Sequence, residues 1–408
     1  MKKRRIYLLL NVLIIIIASC SKDDVIHQPT KSSAKQITSF VFKKSSNNLL
    51  EADIIAYVDE PAKSITATVS YSANAASLIP SIEVSTGATI SPNGVQDFNN
   101  PVTFTVTAED GSTVKYEVNL EITVTEREAL TAIYKANPDN TLDWDLNDTD
   151  INNWTGVLTN NQGNVIELFM DSKNLDVLPP ELGRLSMLIE LDVNDNNLKE
   201  LPSEIGELVN MIYLTLDDNF ISELPKEIGQ LVNLTDLYSS NNKLTKLPEQ
   251  IGDLSSLDYL EIDDNQLTTL PSTIGKLSKL THVELGFNKL TSIPPEIGQL
   301  KSLEGLALLN NELTLIPKEI GELTSLISLS LSKNELTSIP PELGNLTNLT
   351  GLYIIDNKLT SIPKEIGKLT TLNRLYLTEN LLTSIPQEVC KLEDTGTTIL
   401  LDSDVKCE

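Results

Sequence analysis

An asparagine recurs every 23 residues through the C-terminal half of the chain, and this period limits the possible folds more than any other feature. The recurring residues are Asn196, Asn219, Asn242, Asn265, Asn288, Asn311, Asn334, Asn357 and Asn380. Lys173 takes the same place in an earlier, divergent turn, which gives ten turns. Such a period predicts a solenoid, in which each unit buries its apolar face against its neighbours. The asparagine amides are predicted to pair backbone groups at the turns, because they both donate and accept hydrogen bonds.

The apolar residues between the asparagines follow a second regular pattern. In one turn the frame consists of Leu257, Leu260, Ile262, Asn265 and Leu267. This frame resembles the repeat of the leucine-rich-repeat family, and the resemblance covers residues 165–389. It implies an α/β solenoid arc with parallel strands on its concave side. Leucines two apart would point inward from each strand, and the segment PKEIGQL predicts a short helical turn on the far side.

Residues 126–164 are predicted to cap the start of the solenoid. A helix is expected to begin near Thr125 or Glu126 and to stop at Pro138, with an apolar stripe formed by Ala129, Leu130, Ile133 and Tyr134. The segment around Trp154 resembles the N-terminal cap of plant-type leucine-rich-repeat receptors. Those caps usually carry paired cysteines, whereas this segment has none. The helix stripe and the indoles of Trp144 and Trp154 are therefore expected to hold the cap by burial.

Residues 390–408 depart from the repeat and are predicted to cap its other end. Ile399, Leu400 and Leu401 are expected to form a final strand over the exposed apolar end. Cys390 and Cys407 are a possible disulfide pair, although a bond to a partner chain stays open.

Residues 36–125 show a different period, in which apolar and polar residues alternate. The segment from Pro101 to Val124 alternates around the turn signal Glu109–Ser112, which predicts a β-hairpin. Several such strands predict a small all-β sandwich. The segment resembles the immunoglobulin-like modules of bacterial surface lipoproteins. A rigid spacer is its expected role, and ligand binding is the alternative.

The N-terminus carries an export signal. A basic cluster at Lys2–Arg5 precedes the apolar run Ile6–Ile17, which is too short to span a membrane. Ile17–Cys20 resembles the lipobox of bacterial lipoproteins. This resemblance implies removal of residues 1–19 and acylation (palmitate) of Cys20. The segment Ser21–Asp24 resembles the acidic tag that routes some lipoproteins to the outside of the outer membrane, which implies an outer-membrane location facing the cell exterior. Residues 20–35 are expected to form a flexible tether, whose acidic start is either a surface-export tag or simply a linker.

Charge and motif content exclude several classes of function. The formal net charge is −26, and loss of residues 1–19, with four basic residues and no acidic one, takes it to −30. Such a chain repels phosphate backbones, so nucleic acid is not an expected partner. No nucleotide-binding or hydrolase motif is present, and the chain has two histidines, His27 and His282. The segment DWDLNDTD begins like a calcium loop but lacks its glycine and glutamate. We therefore expect no enzyme activity, no metal and no cofactor.

The outward strand positions of turns one to six are predicted to form a binding surface. They hold acidic residues and no Lys or Arg, and they include Glu167, Asp171, Glu190, Asp192, Asp195, Asp217, Asp218, Asp236, Glu261, Asp263, Asp264 and Glu284. Aromatic residues lie among them, at Phe169, Tyr213, Tyr238, Tyr259 and Phe287. The resemblance implies protein binding through this concave face, with Asp192, Tyr213, Asp217, Tyr238, Tyr259, Glu261, Asp263 and Glu284 as candidate ligand-binding residues. The expected partner is a protein with a basic patch. A glycan ligand and a hydrolase using acidic pairs are the alternatives.

Overall fold

The computed structural model describes residues 30–50, 52–70 and 73–408. The predicted signal peptide, Cys20, His27 and most of the predicted tether lie outside these residues. Within them, no helix is both long and apolar enough to cross a membrane. The chain forms two compact units, one ending at Ile122 and the other running on from Thr123 to Glu408.

The first unit consists of two β-sheets. A three-stranded sheet has the order β2-β1-β5 and a five-stranded sheet the order β3-β4-β8-β7-β6. The strands are β1 Ile37–Phe42, β2 Ile54–Ile55, β3 Tyr57–Asp59, β4 Ser64–Ser70, β5 Pro80–Val84, β6 Thr89–Ser91, β7 Val102–Thr107 and β8 Thr113–Thr123. Strands β7 and β8 form the predicted hairpin, with Phe104 opposite Tyr116. The rings of Phe40 in one sheet and Phe104 in the other meet edge to face at 5.5 Å between centroids, so both sheets share one apolar core.

The second unit begins with the cap that the sequence predicts. Helix α1 spans Glu126–Ala136, and the side chains of Thr125 and Glu128 form a capping box at its start. Ala129, Leu130 and Ile133 are buried in the same core as the solenoid leucines. Trp144 and Trp154 stack at 5.1 Å between ring centroids. Their indole N–H groups donate to the backbone carbonyls of Thr155 and Asp145, so both rings are fixed without a disulfide.

A sheet of twelve strands forms one side of the solenoid. Its order is β21-β19-β18-β17-β16-β15-β14-β13-β12-β11-β10-β9, and each neighbouring pair is parallel except β9 with β10. The strands are β9 Val157–Thr159, β10 Val165–Phe169, β11 Glu190–Asp192, β12 Tyr213–Thr215, β13 Asp236–Tyr238, β14 Tyr259–Glu261, β15 His282–Glu284, β16 Gly305–Ala307, β17 Ser328–Ser330, β18 Gly351–Tyr353, β19 Arg374–Tyr376 and β21 Thr398–Leu400. Leucines pair with leucines across consecutive strands, for example Leu214 with Leu237, so the repeat period sets the register.

Short 3₁₀ helices form the other side. They span Pro180–Arg184, Ser203–Glu207, Lys226–Gln230, Glu249–Asp253, Ser272–Lys276, Pro295–Gln299, Lys318–Glu322, Pro341–Asn345 and Lys364–Lys368. Each follows a proline, which supplies the extended residue before the helix. Glycine is required near the end, since a Cβ atom at Gly252 would lie 2.2 Å from the carbonyl oxygen of Thr273. The helical side is therefore packed at backbone contact distance, and its helices are tighter than α-helices.

The asparagines form a ladder of hydrogen bonds inside the turns. Nδ2 of Asn265 donates to the carbonyls of Ser239 and Asp263, at 2.8 and 2.9 Å. Its Oδ1 accepts from the backbone N–H of Leu244 at 2.9 Å. The same pattern recurs along the stack, and the asparagines from Asn196 to Asn357 are buried. Each asparagine thus pairs backbone groups of its own turn and of the turn before it.

The C-terminal segment closes the stack. Helix α2, Gln387–Cys390, replaces the last 3₁₀ turn, and β21 pairs with β19 in parallel. Strands β20, Ser384–Ile385, and β22, Lys406–Cys407, also pair in parallel. A disulfide joins Cys390 to Cys407 across this cap.

Candidate binding surface

The candidate site is the strand face, which we define as the outward side chains of β10 to β19 and of the position two residues after each strand ends. In β11 to β17 and in β19 the middle residue of the strand is buried and the flanking ones are at least partly exposed, as in β13 with Leu237 between Asp236 and Tyr238. All eight candidate ligand-binding residues lie on this face. Asp192, Tyr213, Tyr238, Tyr259, Glu261 and Glu284 belong to the strands, whereas Asp217 and Asp263 follow them. The sequence pattern therefore brings these side chains to one surface.

Aromatic rings run diagonally across the strand face. The rings of Tyr238 and Tyr259 lie 5.4 Å apart, and those of Tyr259 and His282 stack at 5.7 Å. The hydroxyl of Tyr259 donates to Glu284 Oε1 at 3.1 Å. Burial, then the neighbouring Glu284, raises the pKa of Tyr259. His282 was not among the predicted binding residues, because a lone histidine gives no signal until its neighbours in the next turns are known.

A second ladder of hydrogen bonds links consecutive turns on the strand face. The backbone N–H of Asp217 donates to Asn194, and that of Ser240 donates to Asp217, at 2.8 and 2.6 Å. The N–H of Asp263 then donates to the hydroxyl of Ser240, and that of Gly286 donates to Asp263. Asp217 and Asp263 thus support the sheet as well as carrying charge. The sequence did not reveal this ladder, because its members differ in residue type.

The carboxyl groups of the same two aspartates have raised pKa values. Burial raises the pKa of Asp217 to about 6, although the N–H of Ser240 opposes the shift. Burial likewise raises the pKa of Asp263 to about 6, against the N–H of Gly286 and with repulsion from Glu284 and Glu261 adding to it. Burial also raises the pKa values of Glu190 and Asp192, where neighbouring carboxylates add to the effect. The strand face therefore concentrates negative charge that water screens only in part.

Three of the acidic residues have a conformational explanation. Asp195, Asp218 and Asp264 directly precede ladder asparagines, are exposed, and have φ values of 51°, 53° and 50°. Aspartate and asparagine tolerate this left-handed backbone better than most residues. Asn241 and Asn310 take the same place in other turns. These three aspartates can thus be present for backbone reasons, and we leave them out of the binding surface.

The remaining acidic positions cluster at the start of the strand face. Glu167 and Glu190 are partners in the register of β10 and β11, and Asp236 lies two strands further on. Asp171 is exposed just after β10. Tyr213 is 43% exposed between Glu190 and Asp236 in neighbouring strands. We call the part of the strand face on β10 to β15 the acidic half. The exposed ring of Tyr213, which has carboxylates on both sides, is the most accessible aromatic side chain of the acidic half.

The later strands carry a different surface. Tyr353 and Tyr376 meet edge to face at 5.3 Å, and Arg374 lies beside them in β19. Hydrogen bonds to these tyrosines raise the pKa of Arg374. The strand face is thus acidic and aromatic in β10 to β15, and close to neutral in β16 to β19.

In the segment DWDLNDTD, which begins like a calcium loop, two aspartate carboxylates accept hydrogen bonds from backbone N–H groups of the same segment. Oδ1 of Asp145 accepts from the backbone N–H of Asn147, and Oδ1 of Asp148 from that of Asp150, at 2.9 Å in both cases. Across the described residues, no group of three or more His, Cys, Asp or Glu side chains is arranged to hold a metal ion.

Comparison with family models places known sequence families on both units. Residues 37–120 match the family described as SGBP, N-terminal. Residues 225–312 match the model described as leucine-rich repeat region, and residues 324–382 match the leucine rich repeat model. No curated protein matches the chain.

Solved structures with similar folds include receptors with bound peptides. The PEPR1–AtPEP1 structure is 27% identical at a TM-score of 0.60, with 69% of this chain and 42% of that chain covered. The plant peptide hormone receptor RGFR1 in complex with RGF2 is 33% identical at 0.52, with 62% and 49% covered. The Arabidopsis receptor kinase HAESA with IDA and SERK1 is 25% identical at 0.56, with 69% and 54% covered. The match thus extends over about half the length of each of these structures.

Proposed function

Because the solenoid of this chain is a leucine-rich-repeat domain, we propose that it is a recognition module that binds a protein with a basic patch through the acidic half of the strand face. The observation that carries this proposal is the asymmetry of the face. Acidic and aromatic side chains lie together in β10 to β15, whereas β16 to β19 lack that charge.

Charge and aromatic contacts would have separate roles in binding. A surface with one sign of charge attracts an oppositely charged partner over a distance and speeds its association. Exposed aromatic rings such as Tyr213 supply the desolvated contacts that slow dissociation. Tyr238 and Tyr259 are held in place by contacts to each other and to carboxylates, so little side-chain entropy remains to be lost on binding.

The structural relatives support a protein or peptide ligand. Two of them are a peptide hormone receptor in complex with RGF2 and a receptor kinase in complex with a peptide hormone. Since this chain corresponds to about half of each, the shared part is the repeat fold. The identity of the ligand does not carry over.

We also propose where the module acts. The lipobox-like sequence before Cys20 supports a lipid-anchored protein at the outer membrane, facing the cell exterior, with the immunoglobulin-like unit as a spacer. The match of residues 37–120 to the SGBP, N-terminal family supports a role in binding at the surface.

Site-specific photo-crosslinking on intact cells tests the proposed surface. A photoreactive amino acid would replace Tyr213, which is 43% exposed on the strand face, and Val232, which is 45% exposed outside it. We expect the probe at Tyr213 to capture one protein and the probe at Val232 not to capture it. Equal capture from both positions would contradict the proposed surface.

The captured protein would then be titrated against charge variants. Glu190→Gln with Glu261→Gln should slow its association and flatten the salt dependence of the rate, because the change removes two negative charges from the strands of the acidic half. Tyr213→Ala should mainly speed dissociation. Unchanged rates in all variants would contradict the proposal, and capture of a polysaccharide instead would support the glycan alternative.

A further inference from the structure

A cavity of about 250 Å³ opens on the strand face where its acidic half meets its neutral half. It lies over β15, β16 and β17, and its lining includes His282, Glu284, Glu304, Gly305, Ser328 and Ser330. We propose that this cavity takes one arginine side chain of the protein partner, and we name it the arginine site. The inference rests on the proposed function and specifies which chemical group of the partner the surface recognises.

Small residues give the cavity its depth. Along one outward position the consecutive strands carry Tyr259, His282, Gly305 and then Ser328. Along the other they carry Glu284, Ala307 and Ser330 before Tyr353. Two neighbouring strands therefore contribute almost no side-chain volume, while larger side chains stand on both sides of them. The result is a recess about the width of two strands, or roughly 10 Å.

The imidazole of His282 forms one wall. Tyr259 stacks against it at an interplanar angle of 26°, and Nδ1 lies 2.9 Å from the hydroxyl of Thr281. A Cβ atom at Gly305 would lie 2.7 Å from Cδ2 of His282, so the ring occupies the space that a side chain at 305 would need. The glycine thus lets the ring lean toward the cavity as a flat surface.

Two carboxylates set the charge of the arginine site. Glu284 Oε1 accepts a hydrogen bond of 3.1 Å from the hydroxyl of Tyr259. Within the described part of the chain, no lysine or arginine forms an ion pair with Glu284 or Glu304. Of the residues that the structure describes, His282 is the one basic residue in the lining of the cavity. A cation entering the cavity would therefore meet carboxylates that have no competing cationic partner.

The shape of the walls favours arginine over lysine. A guanidinium group is planar, carries five donors in a fixed fork and pairs with carboxylates through two parallel bonds. It also lies flat against aromatic rings and is more weakly hydrated than an ammonium group. A lysine would satisfy the charge but would not use the flat imidazole wall. The cavity thus matches a group that is both planar and positively charged.

A direct test uses the full chain and a short peptide probe. The probe is acetylated, amidated Gly-Gly-Arg-Gly-Gly, with the lysine peptide and the neutral, isosteric citrulline peptide as controls. Binding would be followed through the imidazole NMR signals of His282, assigned with a His282→Phe variant. We expect saturable shifts with the arginine peptide, and about tenfold weaker binding of both controls, because each lacks either the charge or the planar fork.

Two variants test the location of the site. Ser330→Tyr fills the cavity, and the fold should accept it because Tyr353 takes the same place in the next strand. Glu284→Gln with Glu304→Gln removes the charge. Both should weaken arginine-peptide binding at least tenfold, whereas Glu319→Gln, on a 3₁₀ helix outside the cavity, should not change it. Circular dichroism would verify that each variant is folded.

The possible outcomes separate this inference from the proposed function. Equal binding of the citrulline peptide, stronger binding of the lysine peptide, or unchanged binding in Ser330→Tyr would each overturn the arginine site. If the peptide tests fail while Glu190→Gln with Glu261→Gln still slows association of the captured protein, only the arginine site is wrong. If those charge variants have no effect either, the proposed surface is wrong as well.

Discussion

The backbone N–H of Ser240 donates a hydrogen bond of 2.6 Å to Oδ1 of Asp217, which lies one full turn earlier in the chain. The carboxylate is partly buried, and burial raises its pKa to about 6. An acid whose pKa is higher in the folded state than in the unfolded one stabilises the fold below the unfolded pKa. This contribution is lost as the pH rises through the folded pKa. Asp217 and Asp263 therefore make the fold less stable above about pH 6 than below about pH 4.

Replacing these aspartates with asparagine should stabilise the protein near neutral pH. The amide oxygen of asparagine can still accept the hydrogen bond of the ladder, as Oδ1 of Asn194 does, and the partly buried negative charge is removed. We expect Asp217→Asn and Asp263→Asn each to raise the free energy of unfolding by about 1 kcal/mol at pH 7.5, after discounting for partial exposure. The gain should vanish at pH 4. Thermal melts across this range measure it.

The exposed Asp264 provides a matched control for this prediction. Asparagine occurs at the same left-handed position in Asn241 and Asn310, so Asp264→Asn fits the backbone. A pH-dependent gain in Asp264→Asn as large as that in Asp217→Asn would contradict an explanation based on burial.

Ser239 should be a weak point of the core. It is fully buried, its hydroxyl has no hydrogen-bond partner, and Leu216 and Ile262 take its place in the adjacent turns. Ser239→Ala should stabilise by about 1 kcal/mol, because it removes the unpaired polar group. Ser239→Val should add apolar contact if the neighbouring leucines adjust. Hydrogen exchange of β12 to β14 would report the change, and faster exchange in Ser239→Ala would contradict it.

Interior ladder asparagines should be needed for stability rather than for binding. Asn265→Ala leaves three backbone groups without their partner, at about 1 to 3 kcal/mol for each buried group. Asn348→Ala is the control, since this exposed asparagine makes one side-chain bond, to Thr324. Urea unfolding followed by circular dichroism compares them. An Asn265→Ala protein of normal stability that fails to bind would contradict this assignment.

Reduction of the Cys390–Cys407 disulfide should loosen the C-terminal cap. The two cysteines are 17 residues apart in sequence. Loss of the bond should lower the free energy of unfolding by about 3 kcal/mol, because the unfolded chain regains the entropy that the closed loop had removed. Proteolysis should then begin within residues 391–408 while β10 to β15 stay protected, because turns depend mainly on their neighbours. A Cys390→Ala, Cys407→Ala protein should behave like the reduced one. Cleavage that begins instead in the first turns would contradict this prediction.

Cys20 is predicted to carry the lipid anchor. Cys20→Ala should move the protein from the membrane fraction to the soluble fraction, whereas Ser19→Ala should not, because alanine is also a small residue. Fractionation and immunoblotting distinguish these outcomes. Retention of Cys20→Ala in the membrane fraction would show that another feature attaches the protein.

The parts of the fold that depend on strict periodicity were predictable from the sequence. The ten turns, the inward leucines and the buried asparagines follow from one residue type at one interval, as at Asn242 and Asn265. The second ladder did not follow, because Asn194, Asp217 and Ser240 share a hydrogen-bonding role but not a residue type. Asp or Asn precedes six of the nine ladder asparagines, at positions with a left-handed backbone, but the sequence alone does not separate this conformational cause from surface charge.

The candidate site was predictable only in outline. The strand register places Tyr238 and Tyr259 on one surface, as expected from the repeat. The stacking of His282 on Tyr259 and the recess over Gly305 depend on ring orientation and on missing side-chain volume in adjacent turns. Neither property belongs to a single residue, so a sequence pattern does not express it.

The asparagine ladder also determines how such a chain can change in length during evolution. Each rung joins atoms 21 and 26 residues apart, as Asn311 does with Leu290 and Leu285. Inserting or deleting one residue inside a turn would break the rungs on both sides of it. Duplicating or excising a 23-residue block leaves every rung with an equivalent partner. Recombination between turns is therefore the change that this architecture tolerates best, and it would vary the strand face while preserving the core.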